Sequence, residues 1–545
     1  MSTLVRAAPN RTTTVGRWVG TATLVRLALR RDRWLIPGWS VAFALLTGFS
    51  AAATADLYPR EADRIAAAEV VNASASLIAL YGRVYDPASL GAVSLLKLSA
   101  FGTALVAVLM IVITVRHTRG EEEAGRLELL GAGVLGRAAP LAAALVVGAL
   151  ASVFLGILTA VSLALAGLPA VGSFAFGLGW AATGFTFATV AAVAAQVASS
   201  ARSAVGAALI VLAITYVLRA VGDLSSPPSL LSWLSPIGWN QQIRAFAGDR
   251  WWVLALPLLL SAVLAPIAFV LRSRRDLGSG LIPDRPGPAH GSLASPWGLA
   301  VRLQRGLFVG WAAAFALFGL LLGSIASNVS GFLSSPNIQE IIKTLGGEQA
   351  LVDAFLAAEI GLMGVILAAY GIAAAGHLHS EEAAGRAELV LSAPVARTTW
   401  ALSHVFSAAA AVAILSLISG VAIGVGNALA VGDADAIAPV IGASLAHLPA
   451  VLVFIALVLA VFGLAPRLMG VVWALYAAAI VLGEFGPLWQ VPQWLMNLSP
   501  FVHSPTLPAP FAVSVWVPLI ALTVSGVALA GVGLAGWRRR DLAAT

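Results

Sequence analysis

Cysteine is absent from the 545 residues. That excludes a disulfide framework, a thiolate metal site and a cysteine nucleophile, and it leaves the redox compartment unread. Lysine is nearly absent too, at Lys97 and Lys343 only. Neither lies in a Gly-x-x-x-x-Gly-Lys-Ser/Thr loop, so the sequence holds no phosphate loop and no means of hydrolysing ATP by itself. Charge of either sign is scarce, at 10% of residues, whereas a soluble domain carries about 25%. The polar stretches are too short to build a core of their own. No Ser, His and Asp arrangement stands out as a nucleophilic site, and nothing asks for an organic cofactor.

Apolar sequence is what the chain has, at 59% of residues with a mean hydropathy of +0.92. A spanning helix needs about 20 mostly apolar residues. Twelve such runs are expected, starting near Leu35, Ser89, Ala138, Gly172, Ser203 and Trp251, then near Gly306, Leu351, Thr399, Ala438, Met469 and Pro510. Pro169 and Pro439 each punctuate a helix start. The expected fold is an all-α polytopic membrane protein of two tandem six-helix repeats.

Arginines precede the first run, as in a secretory signal, but the run is long and no small-residue cleavage site follows, so it reads as a retained helix. Residues 17–33 mix Trp18, Leu24, Val25 and Leu29 with Arg26, Arg30 and Arg31. This suits a helix lying along the membrane interface, with a plain basic tail as the alternative. The segment 272–305, which includes Arg274, Arg275, Pro283, Arg285, Pro286 and Pro288, lacks the apolar surface to fold alone. The expected organisation is an N-terminal interfacial region 1–34, a first six-helix domain 35–271, a linker 272–305 and a second six-helix domain 306–545.

Placing both termini and the linker in the cytoplasm puts 24 basic and 11 acidic residues inside, and 8 basic and 14 acidic residues outside. The net charges become +13 and −6, as the positive-inside rule requires. The overall +7 therefore records orientation, and nucleic acid is not an expected partner.

The sequence repeats itself. Glu121-Glu122-Glu123-Ala124-Gly125-Arg126-Leu127-Glu128-Leu129 matches Glu381-Glu382-Ala383-Ala384-Gly385-Arg386-Ala387-Glu388-Leu389, and the match extends to Arg137 and Arg397. Trp39 and Phe43 correspond to Trp311 and Phe315, Leu234-Ser235-Pro236 to Leu498-Ser499-Pro500, and Arg274-Arg275-Asp276-Leu277 to Arg539-Arg540-Asp541-Leu542. An even number of spans per repeat gives both halves one orientation, so they should pack about an axis along the membrane normal and enclose a central path.

In each acidic loop a Glu precedes an Arg by four residues, Glu122 before Arg126 and Glu382 before Arg386, the better orientation for a helical ion pair. Each loop is expected to hold a short helix. The other acids, Glu121 and Glu128 with Glu381 and Glu388, stand where the inner surface should be basic. Such a loop is either a solvated face or a docking site, and its duplication suggests two copies of one partner with basic grooves.

These paired loops, with Leu-Ser-Pro-Ile-Gly-Trp at 234–239 and Leu-Ser-Pro-Phe-x-His-x-Pro at 498–505, resemble ABC-2-type exporter permeases, in particular the fused twelve-helix permeases known as tetronasin or polyketide-antibiotic exporters. The resemblance covers nearly the whole chain. It implies that each half is a type V exporter transmembrane domain in the plasma membrane. It also implies that Glu121, Glu122, Gly125, Arg126 and Glu128, with Glu381, Glu382, Gly385, Arg386 and Glu388, form coupling helices over two ATP-binding subunits. ATP and Mg would be bound by that partner, with no cofactor in this chain, and the substrates would be lipophilic drugs or antibiotics.

Other motifs weigh less. Gly131-Ala132-Gly133-Val134-Leu135-Gly136 fits a dinucleotide fingerprint but lies between membrane helices and reads as a hinge. His377, His379 and Glu381 lack further ligands for a metal. Lys97 and Glu359 interrupt apolar helices at similar repeat positions. They are candidates for an outer salt bridge or gate, or else reach the headgroups. Trp39, Phe43, Trp311 and Phe315 are candidates for the cavity wall or for lipid packing. Trp239 and its neighbours would anchor at the outer interface or form a gate. A major-facilitator carrier also has six plus six helices, but its loop between helices two and three would be basic rather than rich in Glu. A scaffold without a transport cycle is the third class.

Overall fold

The computed structural model describes residues 16–131, 135–225, 227–276, 278–282, 295–326, 348–480, 482–483, 492–505 and 513–541. Helices make up its regular structure, and no strand occurs among the described residues. Eleven helical segments among them are long and apolar enough to cross a membrane. Contacts divide the chain into two compact units, Met1–Pro286 and Gly287–Thr545.

In the first unit a short helix α1 (Thr21–Arg31) precedes the first span α2 (Leu35–Leu57). Alternating arginines and apolar residues make α1 two-faced: Ala28 and Val25 pack on the core while the arginines remain exposed. The second span starts with a π-helical turn at Leu98–Gly102 and continues as α3 (Thr103–Arg116). Two short helices follow, α4 (Arg119–Glu123) and α5 (Arg126–Gly131). The remaining spans are α6 (Ala139–Leu165), α7 (Ala170–Val197), α8 (Ala201–Gly222) and α9 (Ala255–Ser273). Phe43, Met110, Leu155, Phe176 and Trp180 form the core of this unit. Helices α6 and α7 approach so closely that a Cβ at Gly156 would strike the carbonyl of Gly177, and the reverse. Small residues at such crossings let membrane helices gain packing that lipid cannot supply.

The second unit opens with α10 (Pro296–Ala326), which starts well before the expected boundary near Gly306. Trp297, Leu299 and Val301 are followed by Arg302 and Gln304, a lead-in of mixed polarity that continues into the span where the first unit breaks after Arg31. Then come α11 (Glu348–Ala375), the short α12 (His377–Ala383) and α13 (Arg386–Leu391), and the 35-residue α14 (Arg397–Val431). A two-part span follows, α15 (Ile437–Ala446) and α16 (Leu448–Leu464), and the unit closes with α17 (Met469–Ile480) and α18 (Val513–Arg539). The one expected run outside these eleven, near Met469, is the shorter apolar helix Pro466–Ile480. Residues 481 and 484–491 beyond it, the hinge at 132–134, linker residues 283–294, Leu277, Leu542, Trp489 and Lys343 lie outside the described residues.

Candidate functional site

The repeated loop takes the same backbone path in both units. Its first helix stops at Glu123 or Ala383, and the next residue but one is a glycine in the left-handed region, Gly125 at φ 68° and Gly385 at φ 70°. A side chain at that φ costs roughly 1–2 kcal/mol, so glycine ends one short helix and starts the next.

This turn overturns the expected ion pairs. Glu122 does not meet Arg126, and Glu382 does not meet Arg386, because residues four apart face each other only on an unbroken helix. Arg126 reaches back to Glu121 instead, with Nε donating to Oε2 at 2.6 Å. Arg386 does the same to Glu381, with Nη2 donating to Oε1 at 2.8 Å. Donating this hydrogen bond to Glu121 raises the affinity of Arg126 for its proton, and donating to Glu381 does the same for Arg386.

Glu122 and Glu382 turn inward. Arg275, just after α9, grips Glu122 through two bonds, Nη2 to Oε1 at 2.7 Å and Nη1 to Oε2 at 2.9 Å. Arg119 adds a third at 2.6 Å. In the second unit Arg540, just after α18, donates to Glu382 Oε2 at 2.8 Å. Arg275 and Arg540 hold the same place in the repeat. Arg275 is further satisfied by Gln196 Oε1 at 2.9 Å and the Ser279 carbonyl at 2.9 Å. The Arg540 guanidinium instead lies over Trp537 and Phe462, 5.0 and 5.2 Å from their centres. A carboxylate so buried is stabilised only while paired; removing one partner of such a pair costs about 3–5 kcal/mol.

With those acids turned in, the outer face of each loop is Arg126, Glu128 and Leu129, and Arg386, Glu388 and Leu389. Leu129 is 79% exposed and Leu389 76%, an open leucine at the same place in both copies. In the first unit Arg31 of α1 also bonds Glu121, and Leu129 lines a groove of about 440 Å³ with Leu24, Leu27 and Ala143. Nearby, Asp32 Oδ2 lies 2.5 Å from His117 Nε2 and Oδ1 lies 3.3 Å from Arg116. Burial pushes the Asp32 carboxyl up, but the His117 hydrogen bond and the charges of His117, Arg116 and Arg31 outweigh it and hold it below 3.8.

The other candidates are placed as follows. Lys97 is exposed, its ammonium 5.9 Å from the centre of the Tyr81 ring, and Glu359 is half-buried on α11 of the other unit. Phe43 and Phe315 are buried inside their units, with Phe43 against Trp180 at 5.6 Å. Trp39 is exposed, Trp311 lies 5.9 Å from Tyr370, and Trp239 Nε1 donates to the Trp233 carbonyl at 2.5 Å. Arg275, Arg540, Leu129 and Leu389 were not among the residues expected at the site. Their repetition was visible in the sequence, but nothing local said which acid each arginine meets.

A family model for "Multidrug efflux system permease Rv1217c, C-terminal domain" matches residues 22–271 and 293–538, one stretch in each unit. The chain is 41% identical over 530 residues to the multidrug efflux system permease protein Rv1217c of Mycobacterium tuberculosis (strain ATCC 25618 / H37Rv), with 96% of each chain covered. Duplicated loops, matching last-helix arginines and this similarity along both units lead to one conclusion: the chain belongs to the Rv1217c family of multidrug efflux system permeases.

Proposed function

We propose that this chain is the transmembrane permease of an ATP-driven exporter, carrying lipophilic drugs, antibiotics or similar amphiphiles out of the cell by alternating access. Both termini and both acidic loops face the cytoplasm of a plasma-membrane protein. Two copies of an ABC ATP-binding subunit, which bind ATP and Mg, dock one beneath each loop. The observation that carries this reading is the outer face of the loops: the same arginine, glutamate and exposed leucine stand out twice. An apolar anchor ringed by one charge of each sign suits a specific protein contact, and two such anchors suit a partner used twice.

The test is to purify the chain with its bound partners from its native membrane, reconstitute it in liposomes and follow ethidium movement. Two ATP-binding subunits per chain and transport that requires ATP are expected, with transport lost when Leu129 and Leu389 are both changed to Asp. Transport driven by a proton gradient without ATP would replace this reading with a secondary carrier. A complex that moves nothing would make the chain a scaffold.

A further inference from the structure

Two repeated arginines carry the sequence motif that the docking face leaves unused. Arg275 and Arg540 follow the last span of their units, and each is the meeting point of three segments. Its guanidinium holds the inward carboxylate of the loop, Glu122 or Glu382, across 153 or 158 residues of sequence. Its backbone carbonyl accepts a bond from an arginine at or just before the start of the third span, Arg137 at 3.4 Å or Arg397 at 2.7 Å. The loop, the third span and the last span are thus tied at one residue, and the tie is built twice from the same three repeat positions.

We propose that this buried carboxylate and guanidinium form a transmission joint, by which a push on the acidic loop moves the last span of the same unit. The inference rests on the docking role proposed for the loops. Each joint is suited to carry force because its charges are shielded from water, with side chains 4% and 2% exposed at Glu122 and Arg275, and 5% and 17% at Glu382 and Arg540. Opposite charges attract far more strongly in such surroundings than at a wet surface. Loop and helix end therefore travel as one body. A solvent-exposed pair at the same place would slip. Glu122, Arg275, Glu382 and Arg540 are positioning residues that act through the loop, remote from any substrate.

The lack of native cysteine makes the joint directly testable. In the reconstituted complex, E122C with R275C removes both charges, and a short bis-methanethiosulfonate reagent then restores a covalent tie at the same place. Before cross-linking, ethidium transport falls roughly tenfold while ATP hydrolysis persists, because docking survives and transmission does not. After cross-linking, transport returns. A purely structural role predicts instead that transport follows the amount of folded complex and that the cross-link restores nothing. A cross-link that leaves transport down would overturn the joint, since the two segments would then have to part during the cycle. If the first-unit variant does not fold, E382C with R540C, where the arginine is more exposed, gives the same reading. Transport by the unaltered complex that needs no ATP would sink the ATPase reading alone, whereas ATP-dependent transport with no recovery on cross-linking sinks only the joint.

Discussion

The two units hold the same ion pair in different surroundings. In the first, Arg275 sits in a polar nest of Glu122, Gln196 and the Ser279 carbonyl, and Arg119 shares the carboxylate. In the second, position 379 carries histidine where the first unit has Arg119, and position 537 carries tryptophan where it has Arg272. There Arg540 keeps one carboxylate and two aromatic faces. A guanidinium is weakly hydrated and planar, so it accepts either a polar cage or a stack of rings. The lesson is that the link between loop and last helix is the common element, while its packing is free to differ.

The difference makes the two carboxylates unequal. Glu122→Ala leaves two buried arginines without their acid, and about 3–5 kcal/mol of stability should be lost. Glu382→Ala takes the carboxylate from Arg540, which is partly exposed and keeps its rings, so about 2 kcal/mol is expected. Thermal melting of the purified chain in detergent ranks the two, and equal losses would break the comparison.

A smaller effect should be shared. Gly125→Ala and Gly385→Ala each force a side chain into left-handed backbone with nothing nearby to clash, costing roughly 1–2 kcal/mol in either unit. Unequal melting shifts for these two would show that the turns are not equivalent.

The first unit alone should feel acid through Asp32, because its repeat counterpart is the uncharged Gln304. The folded Asp32 carboxyl titrates below its usual 3.8, so its contribution to stability is complete above that value and is lost as pH falls through the lower, folded one. Asp32→Asn should flatten the acid limb of a melting-temperature profile, and an unchanged limb would assign the sensitivity elsewhere. Least of all, Arg31→Ala should cost under about 1 kcal/mol, since Arg31 is 38% exposed and Glu121 keeps Arg126. Position 303 in the second unit is leucine, so no matching loss exists there. Limited proteolysis of the first loop would reveal the local loosening.

Much of the fold was legible because lipid imposes a simple rule: length and apolar content select the spans, and Leu35, Ala138 and Trp251 lie within a residue of observed starts. Pro296 to Arg305 was less legible, since its mixed polarity suits a linker as well as an amphipathic helix. At the site, sequence showed Glu122, Arg126, Arg275 and their counterparts as repeated, but paired them by proximity. Gly125 and Gly385 were read as members of a motif, whereas their left-handed backbone is what redirected Arg126 and Arg386.

Sequence by itself determined that this is a helical membrane protein in two similar halves, because burial in lipid and duplication both leave marks that one dimension can hold. Only the tertiary structure decided which charges meet. A loop and the end of a helix more than 150 residues away become neighbours through packing, and the energy of a buried pair depends on that packing rather than on the letters between them.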